Sequence, residues 1–153
     1  MVVKPLPDEA YRVVFITEVG LKIFDMEFTH QEVIIHYFME AMNKKALVKT
    51  LTRDIGLVLM RELAAQTPVT LHEKTSGKPV FMVRENGRRN YYRLNASGKP
   101  IHIIQTGRVL NKVKADFYGT DDSRLDSIRI AHFHINLLIK LSRISNMPGN
   151  AEE

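Results

Sequence analysis

The residues best suited to chemistry are small groups of ionisable side chains, each on a segment with strand character. His132 and His134 alternate along one strand and would share a face, an arrangement that suits two zinc ligands. No short motif supplies a third ligand, so we expect polar groups on a solvent-facing strand rather than a metal site. Asp25 and Glu27 could act as an acid/base pair. Because same-face acids on a strand usually face solvent, we interpret them as surface residues.

Motifs for catalysis are absent elsewhere in the sequence. His36 and His102 are each flanked by apolar residues, which is more typical of hydrogen-bonded strand histidines than of general bases. There is no P-loop and no GxGxxG, HExxH or GxSxG pattern. The chain also has no cysteine, which excludes disulfides, thiolate metal sites and a cysteine nucleophile. We therefore predict a protein that is not an enzyme and has no cofactor or metal.

A basic and aromatic cluster surrounds the dipeptide Asn86-Gly87. It comprises Arg84, Arg88, Arg89, Tyr91, Tyr92 and Arg93. The tyrosines could stack nucleic-acid bases while the arginines neutralise phosphates, or the basic tip could approach anionic phospholipid head groups. A solvated turn is the simplest alternative. The net charge of +5 is modest for a nucleic-acid binder, so nucleic acid is the less favoured partner.

Length and composition predict a single folded domain. The chain has 153 residues, of which 44% are hydrophobic and 25% are charged, enough to build a core and too apolar for disorder. We expect a lead segment over residues 1–10 and a flexible tail over 145–153. No stretch approaches the roughly 18 apolar residues of a membrane span, and the first residues lack the apolar core of a signal peptide.

The elements that must position these residues begin with a three-stranded meander. Its strands are predicted over Tyr11 to Glu18, Leu21 to Thr29 and Glu32 to Glu40, each rich in β-branched and aromatic residues. A helix is then predicted to start at Asn43 and to run for about six turns, with Pro68 beyond its end. Its apolar stripe, at spacings of three and four, comprises Leu47, Val48, Leu51, Ile55, Val58, Leu59 and Leu63.

From Val69 onward, turn signals recur about every ten residues. Asn86-Gly87 is the strongest signal, because both central residues of a type I′ hairpin turn need a positive φ. The last run, Ile128 to Arg143, is predicted to be one extended strand. Its apolar face would carry Phe133, Ile135, Leu137, Ile139 and Leu141, opposite a polar face with His132, His134, Asn136 and Lys140.

Together these elements predict an α+β fold. About nine antiparallel strands would form one curved sheet, an open half-barrel, with a single long amphipathic helix inserted after strand three and filling its concavity.

Three segments resemble envelope lipoproteins of the LolA/LolB-like superfamily, particularly uncharacterised members from Bacteroidota. They are RVVFITEVGLKIFDMEF, EVIIHYFMEAMNKKALVKTLTRDIGLVLM and DSIRIAHFHINLLIKLSRI, within residues 11 to 144. The resemblance implies a half-barrel closed by helices, with a cavity that accepts lipid or lipoprotein acyl chains. It also implies a cell-envelope location, in the periplasm or at the periplasmic face of the outer membrane, lipid-anchored in the full-length form.

The leading functional prediction is therefore a carrier or receptor that binds an apolar ligand between sheet and helix. The predicted lining comprises Leu47, Leu51, Ile55, Val58, Leu59, Leu63, Phe133, Ile135 and Leu137. The same stripes are also typical of ordinary core packing. A surface interaction or scaffold module with a filled interior is the alternative, and nucleic-acid binding through the hairpin between Arg84 and Arg93 is a third hypothesis.

Overall fold

The structure is a computed structural model of the chain. It describes residues 1–8, 10–17, 19–29, 31–108, 110–119, 125–133 and 135–142. Backbone contacts divide the chain into two compact units, Met1–Val69 and Thr70–Glu153. A compact unit need not be a separate domain, so the single-domain organisation stays a prediction. Within the described ranges, none of the helices has the length and apolar character needed to cross a membrane.

The first unit begins with a four-stranded antiparallel sheet whose strands pair in chain order. They are β1 (Val2–Pro5), β2 (Tyr11–Ile16), β3 (Lys22–Phe28) and β4 (Val33–Phe38). The last three correspond to the predicted meander, and β1 lies within the predicted lead segment. Gly20 has a φ of 83°, which lets the chain turn between β2 and β3 without a steric penalty.

The helical part of this unit is shorter than predicted. Helix α1 spans Lys45–Val58, 14 residues or about four turns. It ends because Met60 adopts the left-handed conformation, with a φ of 55°, and its N–H donates to the carbonyl of Leu57 at 3.1 Å. The chain continues as a separate helix α2 (Arg61–Ala65). The prediction of one continuous helix reaching Leu63 is therefore wrong.

The core of the first unit forms where α1 packs on the four-stranded sheet. Its buried side chains are Val13, Ile23, Phe24, Met26, Phe28 and Ile55. A Cβ atom placed on Gly56 would lie 3.8 Å from the ring of Phe28, an ordinary contact distance. The hydroxyl of Thr52 on α1 also lies 3.8 Å from the sulfur of Met26 on β3. Helix and sheet are therefore in direct contact.

The second unit contains a seven-stranded antiparallel sheet whose strands again pair in chain order. They are β5 (Val69–His72), β6 (Pro79–Glu85), β7 (Arg88–Leu94), β8 (Pro100–Thr106), β9 (Asn111–Tyr118), β10 (Ser127–His132) and β11 (Leu138–Ser142). The type I′ turn between β6 and β7 is as predicted, with φ values of 48° at Asn86 and 76° at Gly87.

The last predicted strand is a hairpin instead. β10 and β11 pair antiparallel, with Ile130 opposite Ile139 and Ile128 opposite Leu141. The connection has an odd number of residues, so even-numbered side chains of β10 share a face with odd-numbered side chains of β11. A period of two therefore continues through the fold-back and does not distinguish a hairpin from a single strand.

The predicted fold class is wrong in its main features. The described residues form eleven strands in two sheets of four and seven strands, neither of them closed. The protein is mostly β, and its principal helix is short; it follows β4, which is the strand predicted as the third. The chain leaves the edge of the first sheet through α1, and β5 pairs with β6 rather than with β4. Along the chain, the helices therefore lie between the strands of two separate sheets, where one curved sheet was expected.

Candidate anion-binding face of the seven-stranded sheet

Strand register gives the seven-stranded sheet two chemically different faces. One face carries buried apolar and amide side chains, namely Val83, Asn90, Tyr92, Ile103, Gln105, Val113, Ala115, Ile128 and Ile130. The opposite face carries six basic side chains, which we call the basic face: Arg84, Arg89, Arg93, Lys114, Arg129 and Lys140. Among the described strand residues on that face, Asp116 is the one acid.

A first pair of like charges lies beside the turn between β6 and β7. Arg84 and Arg89 are directly opposite each other across the two strands, and both are exposed. Opposed side chains in an antiparallel pair have Cβ atoms about 5 Å apart, so two like charges there destabilise the sheet. The two-residue turn holds this pair in register.

A second pair of like charges lies on β10 and β11, where Arg129 and Lys140 are directly opposite each other and exposed. Arg129 also faces Asp116 on β9 in the register. Asp116 is already engaged, because its carboxylate lies 3.0 Å from the Lys114 ammonium and 2.7 Å from Nδ1 of His102.

The acids near the basic face are held ionised by their neighbours. Burial favours the neutral form of Asp116, but hydrogen bonds with Lys114 and His102 outweigh it, so the pKa of Asp116 is lowered. Hydrogen bonds from the Ser76 hydroxyl and the Arg93 guanidinium likewise lower the pKa of Glu73 in the turn after β5. Both carboxylates therefore already have hydrogen-bonding partners within the protein.

These pairings leave four exposed cations of the basic face without an acidic partner among the described residues. Within the part of the chain that the structure describes, no ion pair joins Arg84, Arg89, Arg129 or Lys140 to a carboxylate. Phosphate oxygens suit such a site, because a guanidinium presents a planar fork of N–H donors that matches them. An anion shared between opposed cations would also relieve their repulsion.

Charges on the sheet of the first unit are arranged differently, because they neutralise one another. Arg12 donates two hydrogen bonds to Asp25, at 2.8 and 3.0 Å, and Lys22 lies 3.6 Å from the same carboxylate. Glu27 lies 2.9 Å from Nε2 of His36. The acids described on this sheet are therefore paired with basic side chains of the same sheet.

The predicted basic and aromatic cluster is split between the two faces of the seven-stranded sheet. Arg84, Arg89, Tyr91 and Arg93 lie on the basic face, whereas Arg88 and Tyr92 point to the opposite face. Tyr92 is fully buried and Tyr91 is half-buried. The pleat places neighbouring residues on opposite sides, so these two tyrosines do not form one stacking platform.

The predicted surface acids and histidines also differ from expectation. Asp25 is buried rather than solvent-facing, because Arg12 compensates its charge, and Glu27 is half-buried. His132 is buried as well, since it lies with Ile130 on the face of the sheet opposite the basic face. His134 lies outside the described residues.

The predicted ligand-lining residues fall into separate places. Ile55 belongs to the core of the first unit, and Leu51 and Leu59 pack against that core. Leu47, Val58 and Leu63 are half-buried. Phe133, Ile135 and Leu137 lie in the connection between β10 and β11, outside any regular strand.

The cross-strand arrangement of charges was not predicted. Applying strand alternation to Arg84 and Arg89 around the Asn86-Gly87 turn would have found the first pair from sequence. The second pair depends on recognising that β10 and β11 form a hairpin. Among the described residues, no group of three or more His, Cys, Asp or Glu side chains is placed to hold a metal ion.

Comparison with known proteins found no matching family model, no matching curated protein and no matching solved structure.

Proposed function

We propose that this protein is a non-enzymatic binding protein that docks on anionic phospholipid surfaces through the basic face of its seven-stranded sheet. The observation that carries the proposal is the presence of two opposed like-charge pairs, Arg84 with Arg89 and Arg129 with Lys140, on one face. Maintaining both pairs costs stability unless anions neutralise them. An anionic membrane surface presents many phosphates at once.

The distribution of charge along the chain supports an acidic partner for this unit. Thr70–Glu153 holds 14 of the 22 lysines and arginines and 8 of the 17 acids, a net charge of +6. Met1–Val69 holds 8 and 9, a net charge of −1. The whole basic excess therefore belongs to the unit that contains the basic face.

Phospholipid is favoured over nucleic acid by the placement of the two tyrosines that follow the Asn86-Gly87 turn. Binding single strands uses exposed aromatic rings on which bases stack. Tyr92 is fully buried on the opposite face of the sheet, and Tyr91 is half-buried. The resemblance to envelope lipoproteins points in the same direction, and an envelope location stays a prediction.

Binding of an apolar ligand between sheet and helix also stays a prediction. In the first unit, Met26 and Phe28 are buried in one core cluster with Ile55 of α1, so side chains of the sheet pack against the helix. This packing favours the alternative of a module that works through its surface.

The test is binding to vesicles of phosphatidylcholine with and without phosphatidylglycerol. Neutralising Arg84, Arg89, Arg129 and Lys140 with glutamine should weaken binding to anionic vesicles at least about tenfold, because each cation near such a surface contributes about 1 kcal/mol. The matched control replaces four exposed lysines of the first unit, Lys4, Lys44, Lys45 and Lys49, with glutamine. It loses the same net charge and should bind nearly as well as wild type.

Three results would contradict the proposal: equal binding to neutral vesicles, equal losses in both variants, or tighter binding to a single-stranded oligonucleotide than to anionic vesicles at the same salt. Circular dichroism and thermal unfolding establish that both variants remain folded.

A further inference from the structure

Three connections of the seven-stranded sheet lie at the same end. Successive turns of an antiparallel meander alternate between its two ends. The turn at Asn86-Gly87, the β8–β9 connection at 107–110 and the β10–β11 connection at 133–137 therefore share one end. The last two are joined directly, because the N–H of Phe133 donates to the carbonyl of Lys112 at 3.1 Å.

Two of these connections expose large apolar side chains, which we call the apolar tips. They are Leu110, Phe133 and Ile135, with exposed fractions of 69%, 57% and 45%. Single exposed apolar residues are ordinary, but a group on adjacent loops marks an interaction surface. Backbone bonds shape both loops, since Gly107 donates to Leu110 at 2.8 Å and Leu137 donates to Ile135 at 2.9 Å.

Basic residues surround the apolar tips. Arg108 is exposed and precedes Leu110 in the same connection, and Lys112 follows at the start of β9. Arg84 and Arg89 flank the neighbouring turn. Glu85 is the described acid at this end, and its carboxylate accepts a hydrogen bond from Asn90 at 3.1 Å. The apolar tips are therefore surrounded by positively charged side chains.

This combination of charge and apolar exposure selects the partner. A second copy of the chain would bring the same positive charges against these, and nucleic acid offers no apolar phase for three aliphatic and aromatic side chains. An anionic bilayer supplies both phosphates for the cations and an acyl region for the tips.

We infer that Leu110, Phe133 and Ile135 insert into the acyl region of an anionic membrane, while Arg84, Arg89, Arg108 and Lys112 contact its head groups. This inference rests on the proposed function and adds an orientation to it: the basic face lies against the head groups and is tilted so that the end of the sheet that carries the tips enters the bilayer.

Insertion can be read from a tryptophan reporter, because the chain has no tryptophan. We expect the tryptophan fluorescence of Phe133→Trp and of Leu110→Trp to shift to shorter wavelength on anionic vesicles. The same fluorescence should be quenched by lipids with brominated acyl chains. Tyr118→Trp is the matched control. Tyr118 is 50% exposed at the other end of β9, about 23 Å from the strand's first residue, and a tryptophan there should not be quenched by brominated acyl chains.

Removing the apolar tips tests their contribution to affinity. The variant with serine at Leu110, Phe133 and Ile135 should bind anionic vesicles more weakly by about tenfold for each side chain that inserts. Serine at Ile34, Ile35 and Leu71, which are also exposed but lie outside the tips, should leave the affinity within about twofold of the wild-type value.

The outcomes separate this inference from the proposed function. If the charge-neutralised variant loses binding but the tip reporters are unquenched and the serine variant binds like wild type, insertion is refuted and head-group docking stands. If anionic vesicles are not bound at all, both fail. A reporter shift without vesicles that rises with protein concentration would show self-association through the tips, which also refutes insertion.

Discussion

Asn90 and Gln105 form a fully buried amide pair in the second unit. Nε2 of Gln105 donates to Oδ1 of Asn90 at 2.9 Å, and Nδ2 of Asn90 donates to Glu85 at 3.1 Å. Nη1 of Arg88 donates to Oε1 of Gln105 at 3.4 Å. This chain of bonds crosses β6, β7 and β8 beneath the turn that holds Arg84 and Arg89.

Breaking one side of the buried pair should be costly. Gln105→Leu leaves Oδ1 of Asn90 without its donor, and we expect a loss of about 1–3 kcal/mol in the free energy of unfolding. Urea denaturation measures it. Adding Asn90→Leu removes the stranded oxygen and should recover part of the loss. Strictly additive losses from the two substitutions would show that the pair is not coupled.

Asp25 makes stability depend on pH through its contact with Arg12. Hydrogen bonds from Arg12 lower the pKa of Asp25 below its ordinary value of 3.8, against an opposing effect of burial. A carboxylate with a lower pKa in the folded state stabilises the fold above its ordinary pKa. That stabilisation is lost as the pH falls through the folded-state value.

Arg12→Met should therefore be less stable than wild type between about pH 7 and pH 5, with the difference shrinking below about pH 4 as Asp25 is protonated. Urea unfolding across this range measures the difference. Lys49→Met, at an exposed position on α1, is the control and should show no such pH dependence. A difference for Arg12→Met that stays constant down to about pH 2 would argue against the ion pair as its cause.

At the scale of elements, two glycines show how the same substitution can act in opposite directions. Gly56 lies inside α1 with room for a methyl group, 3.8 Å from the ring of Phe28. Gly87 also has room, but its φ of 76° is a conformation that alanine adopts only with strain.

We expect Gly56→Ala to stabilise the protein by about 0.5–1 kcal/mol through higher helix propensity. Gly87→Ala should destabilise it by about 1–2 kcal/mol, the cost of a left-handed L-residue. Thermal and urea unfolding of the two variants provide the comparison. A loss of stability in Gly56→Ala would mean that the helix and sheet are packed too closely for the added methyl group.

For the whole molecule, the proposed membrane contact combines an electrostatic part with an apolar part. The basic face and the cations near the tips act through charge, which salt screens. The apolar tips act through burial of surface, which salt does not weaken.

Raising salt from about 0.1 M to about 1 M shortens the screening length from about 10 Å to about 3 Å. Binding to anionic vesicles should then weaken but retain a residual component. The variant with serine at Leu110, Phe133 and Ile135 should lose that residual component. Complete loss of wild-type binding at high salt would show that charge alone carries the interaction.

Short-range features of this protein could be predicted from sequence. The strands β2 to β4 follow from β-branched and aromatic runs between turn signals, and the hairpin at Asn86-Gly87 follows from the positive φ values that its turn requires. Alternation along β7 also determines that Arg89 and Asn90 lie on opposite faces. These features depend on conformational preferences of residues close together in the chain.

Only the tertiary structure decided the division into two sheets, the end of α1 at Met60 and the hairpin of β10 and β11. Hydrophobic periodicity is the same for one long helix or two short ones, and for one long strand or two folded back. The opposition of Arg129 and Lys140 depends on strand register, which is set by packing and pairing between distant segments rather than by either segment alone. The side chains that carry the proposed function were therefore visible in sequence, but their alignment on one face was not.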